Sequence, residues 1–355
     1  MVWFLILAAG LWFLGRQMKA PVQARWIMIG LLYLAVLAAL VVLPEGHPFQ
    51  RALGGTLGEW AVLGGLIAVV WGYRAVLGRI RTRAEAEEAE RAPAAPAMGG
   101  AELERYARHI VLREIGGPGQ KRLREAKVLV VGAGGLGAPA LLYLAGAGVG
   151  TIGVIDDDTV ENTNLQRQVI HTDARIGMPK VFSAQQAMEA LNPYVAVRPY
   201  NRRLTAEIAE ELVADYDLVL DGTDGFETRY LVNRACAAQG KPLIAAALSQ
   251  WEGQISTFDP ASGAPCYQCV FPQAPAPGLA PTCAEAGVLG PLPGVMGAMM
   301  AVEAVKEIAE AGEGLKGRLL IYDALYADAR VIALSRRPGC PVCGAGGLAQ
   351  DGART

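Results

Sequence analysis

The hydrophobic residues of the chain are concentrated at its start, in three apolar segments. Residues 1–15 and 26–43 contain no charged side chain, and residues 60–78 contain only Arg74, near the far end. A bilayer core needs about 20 apolar residues, with about 17 as the lower limit. The pattern therefore predicts three transmembrane helices within residues 1–80. A cleaved signal peptide is the alternative for the first segment, and a buried soluble hairpin is the alternative for all three.

The charges between these segments predict an orientation. Lys and Arg are frequent in the first loop and directly after the third segment, whereas residues 44–59 contain one Arg and two Glu. Because basic loops stay on the cytoplasmic side, the N-terminus is expected outside the inner membrane and everything after residue 79 in the cytoplasm. Residues 81–101 are predicted to form a juxtamembrane linker, which includes the Pro- and Ala-rich stretch 93–100.

From residue 102, short apolar runs alternate with helical patterns. The runs predict strands at 127–131, 151–155, 195–200 and 217–221, separated by helices at 136–148, 179–191 and 205–214. This alternation is typical of a doubly wound, Rossmann-like and mostly parallel sheet, whose active site lies at the carboxyl ends of the strands. The domain is predicted to span residues 102–344, and residues 345–355 are predicted to form a flexible tail.

Composition adds two constraints. The net charge of −2 provides no basic surface that would demand nucleic acid. Six cysteines in 355 residues do not make a disulfide scaffold, but four of them form two C-x-x-C pairs, Cys266 with Cys269 and Cys340 with Cys343. Since Zn²⁺ prefers a tetrahedron of thiolates, the pairs predict a structural zinc site in a reducing compartment. Two redox pairs or free thiols are the alternative.

A glycine-rich turn follows the first strand of this domain. Residues 132–137 read GAGGLG and a helix follows, which is the context that a nucleotide phosphate turn requires. Gly132, Gly134, Gly135 and Gly137 would let the backbone approach phosphates at the helix N-terminus. Asp156 ends the next strand, where it could accept hydrogen bonds from ribose hydroxyls. These features predict a bound nucleotide, with a purely structural turn as the alternative.

Charged residues at other strand ends suit a triphosphate. Asn164 and Arg167 lie in a polar loop after the second strand, Lys180 begins a helix, and Asp224 lies in D-G-T-D after the strand at 217–221. Cations neutralise a triphosphate, and a carboxylate can hold Mg²⁺. Each residue alone could be a solvated loop residue, but together after a phosphate turn they predict ATP with Mg²⁺.

Nine motifs occur in order between residues 104 and 344. They are RYARHIVL (105–112), GAGGLG (132–137), DDDTVENTNLQRQ (156–168), GMPK (177–180), DGTDGFETR (221–229), EGQIS (252–256), CYQC (266–269), TCAEAGV (282–288) and CPVC (340–343). In these motifs the chain resembles the MoeB/ThiF (HesA/MoeB/ThiF) family of adenylyltransferases, which are related to ubiquitin-activating enzymes. Within the family the resemblance is closest to molybdopterin-synthase adenylyltransferase.

The resemblance implies a substrate and a set of roles. A family member adenylylates the C-terminal Gly-Gly carboxylate of a ubiquitin-like sulfur carrier (MoaD or ThiS type) and releases pyrophosphate, for molybdopterin, thiamine or other sulfur-transfer biosynthesis. By residue matching, Asp156 and the glycine turn bind adenosine, Asp224 binds Mg²⁺, and Arg108 is donated across a homodimer interface. The phosphate ligands are matched by Asn164, Arg167 and Lys180.

The remaining candidate is Cys283, in the Pro- and Gly-rich loop 272–294. In some relatives the matching cysteine forms a covalent bond to the carrier, and in others it is dispensable, so both interpretations stay open. Cys236 is predicted to be a core residue, and His109 and His171 are predicted to be structural. No catalytic base is expected, because a C-terminal carboxylate, with a pKa of about 3.3–3.7, is already ionised at neutral pH.

Three alternatives to this function stay open. One is a membrane-anchored NAD-dependent dehydrogenase, although hydride transfer would not need Arg167, Lys180 or the four cysteines. A second is a non-catalytic membrane scaffold that only binds ATP. A third is a tRNA-modifying or cyclising relative that acts on a carboxylate other than Gly-Gly.

Overall fold

The chain divides into two units, Met1–Pro96 and Ala97–Thr355. The computed structural model describes residues 2–18, 21–43, 47–48, 54–66 except 55 and 63, then 69, 72–73, 98–275 and 286–344. In the first unit, α1 (Val2–Gln17) and α2 (Val22–Val42) are helices. Phe4 and Trp60 pack edge to face, with ring centroids 5.1 Å apart.

The prediction of three transmembrane helices needs correction. Within the described residues, one stretch, Ala24–Val42, is long and apolar enough to cross a membrane, judged by length and composition. Helix α1 has 16 residues, and at a rise of 1.5 Å per residue it is about 24 Å long, shorter than a hydrocarbon core of about 30 Å. The third segment, 60–78, lies partly outside the described residues. Among the residues that the structure describes there is therefore one candidate span, where the pattern predicts three.

The second unit begins with three short helices and continues as an alternation of strands and helices. The helices are α3 (Gly100–Arg105), α4 (Ala107–Ile110), α5 (Gly116–Glu125), α6 (Gly137–Ala147), α7 (Lys180–Leu191), α8 (Ala206–Ala214), α9 (Phe226–Gln239), α10 (Tyr267–Val270) and α11 (Pro291–Ala309). The strands are β1 (Lys127–Val131), β2 (Thr151–Ile155), β3 (Ala196–Tyr200), β4 (Leu218–Asp221), β5 (Leu243–Leu248), β6 (Glu252–Phe258), β7 (Arg318–Asp323) and β8 (Asp328–Ala333). Short 3₁₀ turns lie at Asn162–Asn164, Asp173–Arg175 and Pro260–Ser262.

The eight strands in the described part of the chain form one sheet, in the order β3-β2-β1-β4-β5-β6-β7-β8. The pairings from β3 to β5 are parallel, and those from β5 to β8 are antiparallel. The Rossmann-like α/β prediction is confirmed, but the sheet is mixed because an antiparallel extension follows the parallel half. Between β1 and β4 the strand order reverses, and such a reversal opens a crevice at the carboxyl ends of the strands.

Both faces of the sheet are covered, as the apolar runs predict. In β1, Val128 and Val130 face a cluster that includes Leu141 of α6 and Met300 of α11. Leu129 of the same strand packs in a second cluster, with residues of α8 and α9. Fully burying a Val or Leu side chain contributes roughly 1.5–3 kcal/mol, so two-sided burial explains why this strand is apolar at successive positions.

The hydrophobic pattern does not predict β5, β7 or β8. Strand β5 reads LIAAAL, and alanine has a low preference for strands. All six residues of β8 are exposed at the edge of the sheet, so they show no apolar alternation. These strands form because they pair with neighbouring strands. The hydrophobic pattern of a single segment contains no information about that pairing.

Candidate active site

A cavity of about 1040 Å³ lies at the crevice between β1 and β4. It brings together most of the residues that the sequence singles out. Those that line it are Gly132, Gly134, Gly135, Asp156, Asn164, Arg167, Lys180 and Asp224. Gly137 and Arg108 are missing from its described lining; Gly137 begins α6, and Arg108 is exposed on α4. The predicted cations and carboxylates from separate strand ends therefore do converge on the glycine turn.

The glycine turn leaves an open space beside one of its residues. Gly132 has φ of +91°, a conformation that favours glycine. A Cβ on Gly137 would overlap the carbonyl oxygen of Gly132, so that position requires glycine for packing. At Gly134, by contrast, the nearest described atom to an added Cβ, apart from the glycine and its two chain neighbours, is the Gln168 Nε2, at 3.8 Å. The space beside Gly134, at the N-terminus of α6, suits a phosphate.

Asp156 fixes the turn to the end of β2. Its Oδ2 accepts a hydrogen bond from the Ala133 amide at 2.7 Å, and its Oδ1 accepts one from the Asp158 amide at 2.8 Å. Burial raises the pKa of Asp156, while these backbone hydrogen bonds act in the opposite direction. The carboxylate thus holds the glycine turn against the neighbouring loop, beside the position expected for a ribose.

The predicted phosphate ligands are held in place by their own loop. Asn164 is buried, and its Oδ1 accepts from the Glu161 amide at 3.1 Å. Arg167 Nη1 donates to the Thr163 carbonyl at 3.0 Å. Lys180 is only 5% exposed, and its Nζ lies 2.7 Å from Asp158 Oδ2. Two cations therefore stand at the cavity wall with geometry set by local hydrogen bonds.

Asp224 is exposed and lines the cavity on a braced loop after β4. Asp221 Oδ1 accepts from the Thr223 amide at 2.9 Å and from its hydroxyl at 2.7 Å. The buried guanidinium of Arg229 donates to the Thr223 carbonyl and, at 2.8 Å, to the Ala246 carbonyl of β5. The braced loop presents a carboxylate, the ligand type that Mg²⁺ prefers.

Sequence reasoning missed other residues of the cavity wall, namely Gln168, Arg202, Arg203 and Arg229. Arg202 and Arg203 lie in the loop that follows β3, at the same edge of the sheet as the other site residues. Their position after a predicted parallel strand is a signal that could have identified them. Gln168 directly follows Arg167 but carries no charge that would set it apart.

His171 has a structural role, as predicted. Its Nε2 lies 3.0 Å from the Ala133 carbonyl and its Nδ1 lies 2.9 Å from Ser183 Oγ. Because a carbonyl can only accept, the Nε2 carries the proton and the Nδ1 accepts from the serine hydroxyl. Burial lowers the pKa of His171, and the cations Lys180 and Arg175 act in the same direction. The imidazole is therefore neutral at pH 7, and it supports the glycine turn through its hydrogen bond to the Ala133 carbonyl.

The four paired cysteines form one buried cluster. Their Sγ atoms all lie within 4.8 Å of one another, with close pairs of 3.5 Å between Cys266 and Cys340 and 3.3 Å between Cys269 and Cys343. A tetrahedral zinc with Zn–S bonds of about 2.3 Å requires S···S edges of about 3.8 Å. The cluster therefore has the size, burial and donor set that Zn²⁺ requires.

Three other predicted residues lie elsewhere. Cys283 falls in 276–285, outside the described residues. Cys236 is buried on α9, and burial raises its pKa, so it is a core thiol as predicted. His109 Nδ1 lies 3.2 Å from Gln120 Oε1, a contact that links α4 to α5.

Comparison with known proteins gives relatives over most of the second unit. The chain is 51% identical over 247 residues to the sulfur carrier protein adenylyltransferase of Thermus thermophilus, covering 68% of this chain and 91% of that protein. It is 48% identical over 251 residues to the SAMP-activating enzyme E1 of Haloferax volcanii, covering 71% and 92%. It is also 48% identical over 250 residues to the probable adenylyltransferase/sulfurtransferase MoeZ of Mycobacterium tuberculosis, covering 70% and 64%.

Solved structures share the fold. The structure of E. coli MccB with ATP matches with a TM-score of 0.56 at 22% identity, over 64% of this chain and 69% of that one. PaaA matches with a TM-score of 0.59 at 23% identity, over 67% and 85%. The model of the ThiF family matches residues 106–342, which include the glycine turn, the cavity and three of the four paired cysteines. With this match and relatives near 50% identity, the chain belongs to the ThiF family.

Proposed function

We propose that this chain uses ATP to adenylylate the C-terminal carboxylate of a ubiquitin-like sulfur carrier that ends in Gly-Gly, and releases pyrophosphate. One observation carries the proposal: Arg167, Lys180 and Asp224 line the same cavity as the glycine turn, in which the space beside Gly134 is open. The names of relatives such as the sulfur carrier protein adenylyltransferase of T. thermophilus support the carrier as substrate. The product would serve molybdopterin, thiamine or related sulfur-transfer biosynthesis.

The proposed reaction depends on charge placement. The carboxylate oxygen attacks the α-phosphorus of ATP, the bond from that phosphorus to the bridging oxygen breaks, and pyrophosphate leaves. The nucleophile is already ionised at neutral pH, so the main barrier is repulsion between two anions. Arg167 and Lys180 offset the charge of the phosphates. Asp224 would hold Mg²⁺, which supplies further neutralisation of the phosphate chain when bound.

The cations of the cavity favour this reaction over hydride transfer. A nicotinamide enzyme needs a phosphate turn and a ribose-binding carboxylate, which Gly134 and Asp156 could also supply. It does not need Lys180, a cation 5% exposed, at the cavity wall. The Lys180 Nζ is held by Asp158 at 2.7 Å, so the ammonium has a fixed position at the cavity wall, where it can offset the charge of a triphosphate.

Two finer features belong to the proposal. The resemblance implies that Arg108 enters the cavity of a second copy in a homodimer, and its exposed position outside the described lining of its own cavity is compatible with that role. The four cysteines would hold one structural Zn²⁺, which ties residues 340–343 to the segment at 266–269. Closed Cys₄ sites are structural, so zinc would take no part in the chemistry.

Membrane attachment is also a proposal. Helix α2 would anchor the protein at the inner membrane. The second unit would lie in the cytoplasm, where ATP and reduced thiols are available. Because the basic residues before α2 also favour the cytoplasm, this orientation requires the apolar segment 60–78 to cross the membrane as well. Protease added to spheroplasts should leave the second unit intact. Digestion of that unit from outside would show that the proposed location is incorrect.

ATP–pyrophosphate exchange with carrier proteins from the same genome tests the proposed reaction. Exchange should require Mg²⁺, a carrier and its terminal glycine. Arg167→Ala should lower the rate about 10²-fold or more, as loss of one preorganised charge contact does. Arg330→Ala, an exposed arginine on the far edge strand β8, is the matched control and should keep wild-type rates. Exchange without any carrier, or wild-type rates in Arg167→Ala, would contradict the proposal and favour a binding scaffold.

A further inference from the structure

Gln168 lies on the cavity wall, next to Arg167 in the chain and close to the glycine turn. The residue is 4% exposed. Its Nε2 lies 3.8 Å from the position of a Cβ added to Gly134, and apart from Gly134 and its two chain neighbours no other described residue has a heavy atom within 4 Å of that position. The amide of Gln168 therefore borders the space that glycine leaves open for a ligand.

Packing alone does not explain a glutamine at this position. The Oε1 of Gln168 is buried and has no hydrogen-bond partner among the residues that the structure describes. Such an acceptor destabilises the fold, because it loses its hydrogen bonds to water without replacement. The local turn uses only the backbone of residue 168, whose amide donates to the Asn164 carbonyl at 3.0 Å and whose carbonyl accepts from the His171 amide at 3.0 Å. Methionine would fill a similar volume without the unpaired oxygen.

We infer that Gln168 is a further substrate-contacting residue, whose Nε2 donates a hydrogen bond to a phosphate oxygen of the nucleotide bound over Gly134. The inference rests on the proposed function, because it places phosphates in that space. A phosphate oxygen accepts hydrogen bonds, so it can pair with Nε2 but not with the unpaired Oε1. A glutamine at this position, with the cost of that oxygen, is explained if its Nε2 contributes to nucleotide binding. The amide of Gln168 is uncharged, so its hydrogen bond adds no positive charge to that of Arg167 and Lys180. Because a hydrogen bond is directional, it would orient the phosphate chain.

A contact to phosphate and a packing role predict opposite results for Gln168→Met. If Gln168 binds phosphate, the variant should melt at the wild-type temperature or above it, because the unpaired oxygen is gone. Its affinity for nucleotide should fall about 10- to 100-fold, as expected for a hydrogen bond to a charged group. If Gln168 only supports the fold, the melting temperature should fall and the affinity should not change.

The experiment uses the full chain with Mg²⁺ and α,β-methylene-ATP, a nucleotide that cannot release pyrophosphate. Isothermal titration gives the affinity, and calorimetry gives the melting temperature. Gln168→Glu, which places a carboxylate beside the phosphates, should weaken binding more than Gln168→Met does. Gln186→Met is the matched control, since Gln186 is exposed on α7, and it should bind as the wild type does.

Pyrophosphate exchange then separates this inference from the proposed function. If the wild type binds the nucleotide but exchanges no pyrophosphate with any carrier, the proposed function fails, and the affinity of Gln168→Met still decides the inference. If the wild type binds and exchanges while Gln168→Met matches its affinity, the inference is wrong and the proposed function stands. A wild-type chain that binds no nucleotide would overturn both.

Discussion

Alanine substitutions at two glycines of the turn should separate nucleotide binding from folding. A Cβ at residue 134 would have Gln168 Nε2, at 3.8 Å, as its nearest described neighbour. A Cβ at residue 137 would overlap the carbonyl oxygen of Gly132, which is backbone and cannot swing away. We therefore expect Gly134→Ala to fold and to bind ATP poorly, and Gly137→Ala to lose stability outright.

The expected magnitudes follow from what the added methyl group meets. At residue 134 the methyl group occupies space proposed for phosphate, and inserting a group into filled space costs about 1–3 kcal/mol. That corresponds to roughly 5- to 150-fold weaker affinity for nucleotide. Gly134 is not among the glycines with positive φ, so the alanine should stabilise the fold by about 0.4–1 kcal/mol through the unfolded state. The melting temperature should then rise by roughly 1–4 °C.

Titration calorimetry with Mg²⁺ and α,β-methylene-ATP measures the first effect, and scanning calorimetry measures the second. Gly137→Ala serves as the comparison, because it lies in the same turn and should melt well below the wild type. A folded Gly134→Ala protein that binds nucleotide as tightly as the wild type would refute the reasoning. It would show that phosphates do not lie beside Gly134.

Three other predictions test the zinc, the histidine and the dimer. The wild type should contain one zinc per chain, and Cys340→Ala should lose it and melt at a lower temperature while still binding ATP; zinc-free protein with titratable thiols would contradict this. Burial lowers the pKa of His171 below 6.5, so its stabilising contribution is complete above pH 6.5 and is lost as pH falls. From pH 7.5 to 5.5 the wild type should therefore lose stability more steeply than His171→Gln, by up to about 1.4 kcal/mol per pH unit, and parallel urea curves would contradict this. Arg108→Ala should be inactive, yet mixing it with inactive Lys180→Ala subunits should restore about a quarter of the activity, because hybrid dimers hold one complete site; no recovery despite subunit exchange would argue against a shared site.

The sequence predicts the parallel half of the sheet and much of the cavity wall, for a physical reason. Parallel strands are buried on both faces, so β1 and β2 read as apolar runs, and the polar residues after them must meet at one edge of the sheet. That rule is enough to predict that Arg167 and Asp224 lie at the same cavity. It does not predict the Ala-rich β5, which forms because it pairs with β4 and β6. It also does not predict the direction of the Gln168 side chain, which depends on the backbone path of a loop.

The charge arrangement of the cavity also explains why a catalytic base is not needed. The histidine beside the turn, His171, has both ring nitrogens engaged, one by the Ala133 carbonyl and the other by Ser183. Taking a proton from a substrate would require a free ring nitrogen facing the cavity and a pKa near 7, whereas burial lowers the pKa of this imidazole. A hydroxyl or amine nucleophile would need such a base, but an ionised carboxylate does not. A nucleophile that is already ionised, such as a C-terminal carboxylate, therefore suits this site without His171 as a base, and cations such as Arg167 and Lys180 are the groups that the reaction requires.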